Sequence, residues 1–520
     1  LKIALAEDMR RMDRLAVEKH GLTVEHLMES AAAAVVEALD EFPGTWAKRT
    51  VGLVCGKGNN GGDGLAAARL LRKKKASVVV LLRADPGELE GETAKQYAKA
   101  KAAKVPVIPL RDEGSLKQVP GVLGECDLVV DALFGTGLSR AVTGMDRDLI
   151  RLMNASGKPI VAVDIPSGLD ADTGEARGEA VKARKTVTFG LPKAGFFTAA
   201  GRPYVGSWSV AEIGFPQELL EDPAIKMELL DAETVRRCLP KFDGQTHKGT
   251  RGRVVLVAGA TGLTGAATLS ALGAQRVGAG LVTVACAESL NAILEVKLTE
   301  PMTAPVPEVP GGFLSSKALG RILSLAAKVN AVVLGPGVGR HHETGTLMKE
   351  LVLKLTAPMV VDADALNLLG GQTDVFRAAR APVIVTPHPG EAAGLLKTTI
   401  PDVESRRLAV AKQIAREYNV TAILKGPWTV VASPSGEVRI NPTGNRALGT
   451  AGTGDVLSGI LGGLLAQRLS PFDAAAVGVY VHGLAGERAS KKLGLDGVLA
   501  GDLLPEIPRV LRRLRNEGQA

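Results

Sequence analysis

The chain has 520 residues, more than one hydrophobic core ordinarily serves, so its length predicts two domains. Hydrophobic residues at 46% and charged residues at 23% lie in the ordinary globular range. The net charge of +8 suits anionic ligands, but the basic runs Arg72–Lys75 and Arg512–Arg515 carry no interleaved aromatics; they are read as solvated surface, and no nucleic acid is expected.

Glycine is abundant at 61 residues and aromatics are scarce at 3%, which suits an α/β protein whose ligand brings its own rings. Cys55, Cys126, Cys238 and Cys286 form no Cys-x-x-Cys pair and are read as free thiols in a reducing compartment. The N-terminus shows no apolar signal segment, and no run of eighteen or more apolar residues occurs. The expectation is a cytoplasmic homo-oligomer that acts on small molecules, away from membranes.

Residues 7–42 read as helical, Glu7 to Lys19 and Val24 to Glu41, broken at Gly21. Short apolar runs follow at Val51–Val54, Ser77–Leu82, Asp127–Asp131, Pro159–Asp164 and Thr186–Phe189. Their continuous rather than alternating hydrophobicity predicts strands buried on both faces of a mainly parallel sheet. Residues 219–240 are charged, contain Pro223 and show no strand pattern, so they are read as a linker between domains at 1–218 and 241–515. A second series begins at Arg253–Gly259 and continues through Ala279–Val284, Ala331–Leu334, Pro358–Asp362, Pro382–Thr386 and Thr421–Lys425. Thr429–Ser433, the turn Pro434–Gly436 and Val438–Ile440 then read as a hairpin.

In the first series, strand Val51–Val54 runs into Cys55–Gly64, a loop rich in glycine and amides, and then into a helix expected from Leu65. Strand, glycine loop and helix is the phosphate-cradling order of nucleotide folds, although this loop is neither the dinucleotide fingerprint nor a P-loop. The plain alternative is a tight turn needing positive φ. Two further strand ends carry oxygen donors: Asp131 before Phe134–Arg140, and Asp164-Ile-Pro-Ser167. Oxygens from Asn60, Asp131 and Ser167 suit a hard cation, while each aspartate alone reads equally as a helix cap.

In the second series, Asn445–Asp455 puts a glycine-threonine loop and one carboxylate before the apolar helical run Val456–Leu465. Such a helix start turns unpaired N–H groups and a positive dipole end toward an anion, and phosphate is the natural guest. Asp455 then stands beside that phosphate as a proton acceptor. Its plain alternative is a helix cap; for Lys425 it is a surface lysine, and for His388 a turn histidine between prolines. His341-His342 lacks a further ligand at helical spacing and is read as a solvated loop.

Residues 7–215 resemble the YjeF N-terminal family, the NAD(P)H-hydrate epimerases, through Met28–Ala32, Gly58–Gly64, Asp131–Gly137 and Asp164–Gly168. The resemblance implies a Rossmann-like three-layer domain that interconverts R and S forms of hydrated NADH and NADPH. It implies substrate contacts from Asn59, Asn60, Gly61, Gly62, Asp63, Gly135, Thr136, Gly137, Leu138, Ser139, Arg140, Ala141 and Asp164. It also implies a potassium ion on Asn60, Asp131 and Ser167, with Asp164 as the acid/base near C6. Inversion there by ring opening, or by loss and return of the hydroxyl, needs proton transfer either way.

Residues 245–515 resemble the ribokinase-like NAD(P)H-hydrate dehydratases, through His247–Thr250, Gly335–Gly339, Asp362–Leu366, Thr386–Glu391, Lys425–Thr429 and Asn441–Asp455. This implies ADP on Lys425, Gly426, Pro427, Trp428, Thr429, Asn445, Gly449, Thr450, Gly452, Thr453 and Gly454, with Mg2+ accompanying the nucleotide. Gly337, His388 and Asp455 face the hydrate, and Asp455 is the catalytic base. The resulting expectation is a bifunctional nicotinamide-nucleotide repair enzyme. Two alternatives stand beside it: a kinase of vitamin-precursor alcohols fused to a nucleotide-binding domain, and a first domain that serves as a scaffold.

Overall fold

The computed structural model describes residues 1–241 and 247–516, so residues 242–246 of the expected second domain lie outside the described part. The chain divides into two compact units, Leu1–Ile225 and Lys226 onward. Each is an α/β unit built around its own sheet.

The first unit opens with helices α1 (Ala6–His20) and α2 (Val24–Ala38). Gly21 at φ +67° ends α1 in the left-handed conformation that glycine adopts without a Cβ penalty. Seven strands follow: β1 (Thr50–Cys55), β2 (Ser77–Leu82), β3 (Val107–Pro109), β4 (Leu128–Ala132), β5 (Ile160–Val163), β6 (Lys185–Phe189) and β7 (Ser207–Ala211). They pair in the order β3-β2-β1-β4-β5-β6-β7, and every pairing is parallel. The order in which successive strands are added reverses between β1 and β4, the switch point at whose carboxyl ends such sheets open a crevice.

Helix α3 (Asn59–Lys73) starts six residues earlier than the sequence reading expects. The glycine-rich segment is therefore mostly the first turns of a helix, not a loop. None of Gly56, Gly58, Gly61, Gly62 and Gly64 has positive φ, so the tight-turn alternative fails. Close approach explains them instead: a Cβ on Gly61 would lie 1.8 Å from the Gly56 carbonyl oxygen, and one on Gly56 would lie 2.0 Å from that of Leu133.

The second unit holds a ten-stranded sheet: β8 (Met227–Leu229), β9 (Arg253–Val257), β10 (Leu281–Ala287), β11 (Met302–Val306), β14 (Ala331–Leu334), β15 (Met359–Val361), β16 (Val383–Val385), β17 (Thr421–Leu424), β18 (Thr429–Ala432) and β19 (Val438–Asn441). A small hairpin, β12 (Glu308–Val309) with β13 (Phe313–Leu314), stands apart. The order is β11-β10-β9-β14-β15-β16-β17-β18-β19-β8; β17–β18–β19 is antiparallel and the other pairings are parallel. Strand β8 lies inside the segment read as a strandless linker. It forms because Met227 and Leu229 are buried against the β19 edge.

The helix Thr453–Ala466 is buried along nearly its whole length and packs on the helix Thr264–Arg276. A Cβ on Gly459 would lie 1.9 Å from the Ser270 carbonyl oxygen, so glycine permits that contact. The packing fixes where the helix start points. His341 and His342 are not a solvated loop: His341 accepts from the Glu343 N–H as N-cap of the helix His342–Lys354 and stacks on Phe313.

Candidate active sites

In the first domain, the carboxyl ends of β1, β4 and β5 together with one face of α1 enclose a cavity of about 750 Å3. Asn59, Asn60, Asp63, Gly135, Thr136, Gly137, Leu138, Ser139, Arg140 and Asp164 line it. Gly61, Gly62 and Ala141 are not part of its described wall. Gly62 instead faces Met28, whose sulfur would lie 2.7 Å from a Cβ placed there.

Asp164 follows β5 at φ +65°, a conformation costing about 1–2 kcal/mol in a residue with a Cβ. Its Oδ1 accepts hydrogen bonds from Thr188 Oγ1 at 3.1 Å, the Phe189 N–H at 3.2 Å and Lys193 Nζ. Lys193 is wholly buried and also donates to Thr188 Oγ1 at 2.7 Å and the Phe189 carbonyl at 3.2 Å. Asp164 Oδ2 has no partner among the described residues. Asp63 lies well above the ordinary carboxylate range, through burial first and then the charges of Asp164 and Asp13.

Beside the cavity, Ser167 is tied to the fully buried Asp131: its N–H donates to Oδ2 at 2.7 Å and its hydroxyl to Oδ1 at 2.6 Å. Burial raises Asp131 to about 6, against the opposing effect of the Ser167 hydroxyl and N–H and the Leu133 N–H. Asn60 is 8% exposed, and its buried side-chain nitrogen has no partner. The flat end of an Asn side chain can be turned over without changing its shape, so this orphan position can equally present an oxygen. A buried carboxylate, a hydroxyl and an unsatisfied amide make a donor set suited to a weakly charged hard cation.

In the second domain the helix Thr453–Ala466 begins at Gly452, φ +89°, so Asp455 lies in its first turn rather than before it. The Gly454 and Asp455 N–H groups have no acceptor among the described residues. The hydroxyls of Thr450 and Thr453 are turned away onto backbone carbonyls, Thr450 to Val498 at 2.9 Å and Thr453 to Leu448 at 2.8 Å. Asn445 spans the loop, accepting from the Ala447 N–H and donating to Ser490 Oγ. His482 is buried beneath the helix start, and its Nε2–H donates to the Thr453 carbonyl at 2.9 Å. Burial lowers its pKa to about 4, so the ring is neutral near neutrality.

Lys425 ends β17 and is not a surface lysine: its Nζ lies 2.9 Å from Asp362 Oδ1 and 3.8 Å from Glu391 Oε2. Asp362 also accepts from Thr386 Oγ1 at 2.5 Å and from the Ser458 hydroxyl. Burial pushes Asp362 up, but Lys425 and these hydroxyls outweigh it and hold the group below the ordinary range. Asp455 is raised to about 7 by burial and by the charge of Asp362, with Lys425 opposing and Asp364 adding. His388 caps the helix Pro389–Leu396: its Nδ1 accepts from the Gly390 and Glu391 N–H groups, and Glu391 returns a bond to the His388 N–H at 2.8 Å. Gly337, at φ +62°, brings its loop against Leu263 and Ala266, where a Cβ would lie 2.8 Å from that of Ala266. Gly426, at φ +133°, packs on the Arg407 guanidinium.

Sequence reasoning gave no role to Asp13, Lys193, Asp362, Glu391, Ser458 or His482. Lys193 and Asp362 both stand close after a strand end, the position where an α/β sheet collects ligands, and that signal was available.

These features define a chain of two α/β domains, the N-terminal one with a cavity lined by carboxylates and the C-terminal one with an open helix start beside a lysine and a carboxylate. A family model described as YjeF-related protein N-terminus matches residues 24–195, and one described as NAD(P)H-hydrate dehydratase matches residues 254–509. The chain is 44% identical over 516 residues to the bifunctional NAD(P)H-hydrate repair enzyme of Moorella thermoacetica, covering 99% of this chain and 97% of that one. It is 37% identical over 508 residues to the protein of that name from Escherichia coli, covering 97% and 93%. A solved ADP/ATP-dependent NAD(P)H-hydrate dehydratase from Bacillus subtilis is 31% identical and superposes with a TM-score of 0.49 over 55% of this chain and 98% of that one.

The chain belongs to the family of bifunctional NAD(P)H-hydrate repair enzymes. It joins an epimerase domain to a dehydratase domain.

Proposed function

We propose that the front cavity interconverts the R and S forms of hydrated NADH and NADPH, and that the rear site dehydrates the S form with consumption of ADP. The observation that carries the second half is Asp455, raised to about 7, in a helix turn where the Gly454 and Asp455 N–H groups have no acceptor among the described residues. Asp455 takes the proton of the C6 hydroxyl as its oxygen attacks the terminal phosphorus of ADP. The P–O bond to AMP breaks, and the N–H groups of Gly454 and Asp455 take up charge on the phosphoryl oxygens. Phosphate is a better leaving group than hydroxide. The ring nitrogen's lone pair expels it from C6, and loss of a C5 proton restores the dihydronicotinamide.

Lys425, Gly426, Pro427, Trp428 and Thr429 hold the nucleotide from one side and Asn445 to Gly454 from the other, while Gly337 and His388 face the hydrate. Mg2+ bound with the phosphates would supply charge neutralisation. In the first domain Asn60, Asp131 and Ser167 would hold potassium, whose positive charge would offset the cost that burial imposes on the Asp131 carboxylate. Asn59, Asn60, Asp63, Gly135, Thr136, Gly137, Leu138, Ser139, Arg140 and Asp164 receive the substrate there.

The test supplies a mixture of hydrated NADH epimers with ADP, with ATP or with neither, and follows the near-ultraviolet absorbance of reduced nicotinamide. Full recovery with ADP is expected. Recovery that stops at the S fraction removes the epimerase reading, and recovery with ATP alone removes the preference for ADP. A stable phosphomonoester formed from a vitamin-precursor alcohol would instead identify a kinase.

A further inference from the structure

We propose that Asp13 is a second catalytic residue of the epimerase cavity, exchanging a proton with the C6 oxygen from the α1 wall while Asp164 does so from the end of β5. This rests on the epimerase reading above.

Helix α1 buries Met9, Met12 and Ala16 in the core, and its neighbouring face sends Arg10, Asp13, Arg14 and Val17 into the cavity wall. That is the i, i+3, i+4, i+7 spacing of a single helical stripe. Asp13 has no hydrogen bond or ion pair among the described residues, although Arg11 beside it pairs with Asp8 and Asp222. Asp13 is exposed and lines the cavity. The cavity holds a second unsatisfied group, the buried side-chain nitrogen of Asn60, so its wall is built to meet a ligand.

Inversion at a carbon bearing a hydroxyl needs a donor where the hydroxyl leaves and an acceptor where water returns. The Asp13 carboxyl gives its proton to the hydroxyl oxygen, the C6–O bond breaks with its electron pair going to that oxygen, and water departs. The N1 lone pair forms N1=C6. Water then adds to the opposite face, the π pair returns to N1, and Asp164 Oδ2 takes the released proton. The reverse conversion exchanges the roles, and exchange with solvent resets both groups.

Two carboxyls with unlike surroundings are how a site separates its acid from its base. Asp164 is anchored on one oxygen by Lys193, and Asp13 is free. Burial first, and then the charge of Asp164, raises Asp13 to about 6, with Lys193 opposing. The other charged groups of the wall are Asp63 on α3, Arg10 and Arg14 on α1, and Lys57 and Arg140 on the loops after β1 and β4.

The experiment uses the full chain and purified single epimers, resolved by chromatography, with Asp13→Asn, Asp13→Glu, Asp63→Asn and Asp164→Asn compared across pH. Asp13→Asn should lower epimerase kcat on the order of 10²-fold with KM nearly unchanged, and should erase the pH limb near 6. Asp13→Glu should restore part of the rate. Dehydration of the S epimer by the same preparation should be unaltered, which shows an intact chain. An unchanged kcat in Asp13→Asn, a change in KM alone, or loss of the pH limb only in Asp63→Asn overturns the proposal. Wild-type protein that leaves single epimers unchanged removes the epimerase reading itself, an outcome distinct from any behaviour of the variants.

Discussion

Each domain places one carboxylate–lysine pair at the carboxyl end of its parallel strands, and the two pairs are turned inside out. In the front domain the lysine is the hidden partner: the Lys193 side chain is 0% exposed, while that of Asp164 reaches the cavity at 15%. In the rear domain the carboxylate is hidden, with Asp362 at 1% and Lys425 at 21%. On the roles proposed above, the buried member fixes geometry and the outer member meets the ligand. A carboxylate facing outward suits proton traffic at carbon, whereas a lysine facing outward suits a polyphosphate. The C-terminal site then needs a separate base, the role proposed above for Asp455.

The largest effect that tests this contrast is on that separate base. Asp455→Asn should reduce dehydratase turnover on the order of 10³-fold and leave epimerisation intact. Asp455 acts only when deprotonated, and its pKa is raised to about 7, so the wild-type rate should fall as pH drops through that value. A pH–rate profile flat across this range would separate Asp455 from the chemistry. Next, Lys193→Met removes a fully buried partner and leaves Asp164 held only by a hydroxyl and an N–H. Breaking a buried pair in this way should cost about 3 kcal/mol. Denaturant unfolding of the full chain should show only the first domain's transition shifted.

A smaller effect concerns the potassium ion proposed above for Asp131. A proton and a cation compete for that carboxylate, and burial sets its pKa at about 6. Added potassium should therefore raise the thermal midpoint of the first domain above that pH and lose its effect below it. Asp131→Asn should abolish the response; an equal response in that variant would move the cation elsewhere.

The interior strands were legible because burial on both faces gives continuous apolar runs such as Val51–Val54 and Ala331–Leu334. The strands that escaped notice, β3, β7, β8 and β11, are short or lie at the sheet edges, where half-exposed residues carry little pattern. The start of α3 was placed late because glycine is a poor helix former. Only the neighbouring backbone, invisible in sequence, explains why glycine is needed there. Strand-end residues such as Asp164 and Asp131 were picked out by position. Their partners were harder to see: Lys193 is separated from Asp164 by 29 residues, and Lys425 from Asp362 by 63, so only the fold pairs them.

The smallest effect separates structure from function at His388, which the sequence placed against the substrate and the fold uses as a helix cap. Its Nδ1 accepts two backbone N–H groups at 3.0 and 3.3 Å, and Glu391 completes a reciprocal box. Replacing such a cap by alanine ordinarily costs about 1 kcal/mol. Since Glu391 also lies 3.8 Å from Lys425, loosening this cap should be felt at the nucleotide side through Lys425 as well as at the hydrate side. His388→Asn is the informative companion, because asparagine can cap the helix but cannot reproduce the outward reach of the ring. If the ring serves only the helix, His388→Asn should keep both stability and KM for the hydrate. If the ring also meets the hydrate, stability should return with asparagine while KM stays raised, and steady-state kinetics on the S epimer distinguishes the two.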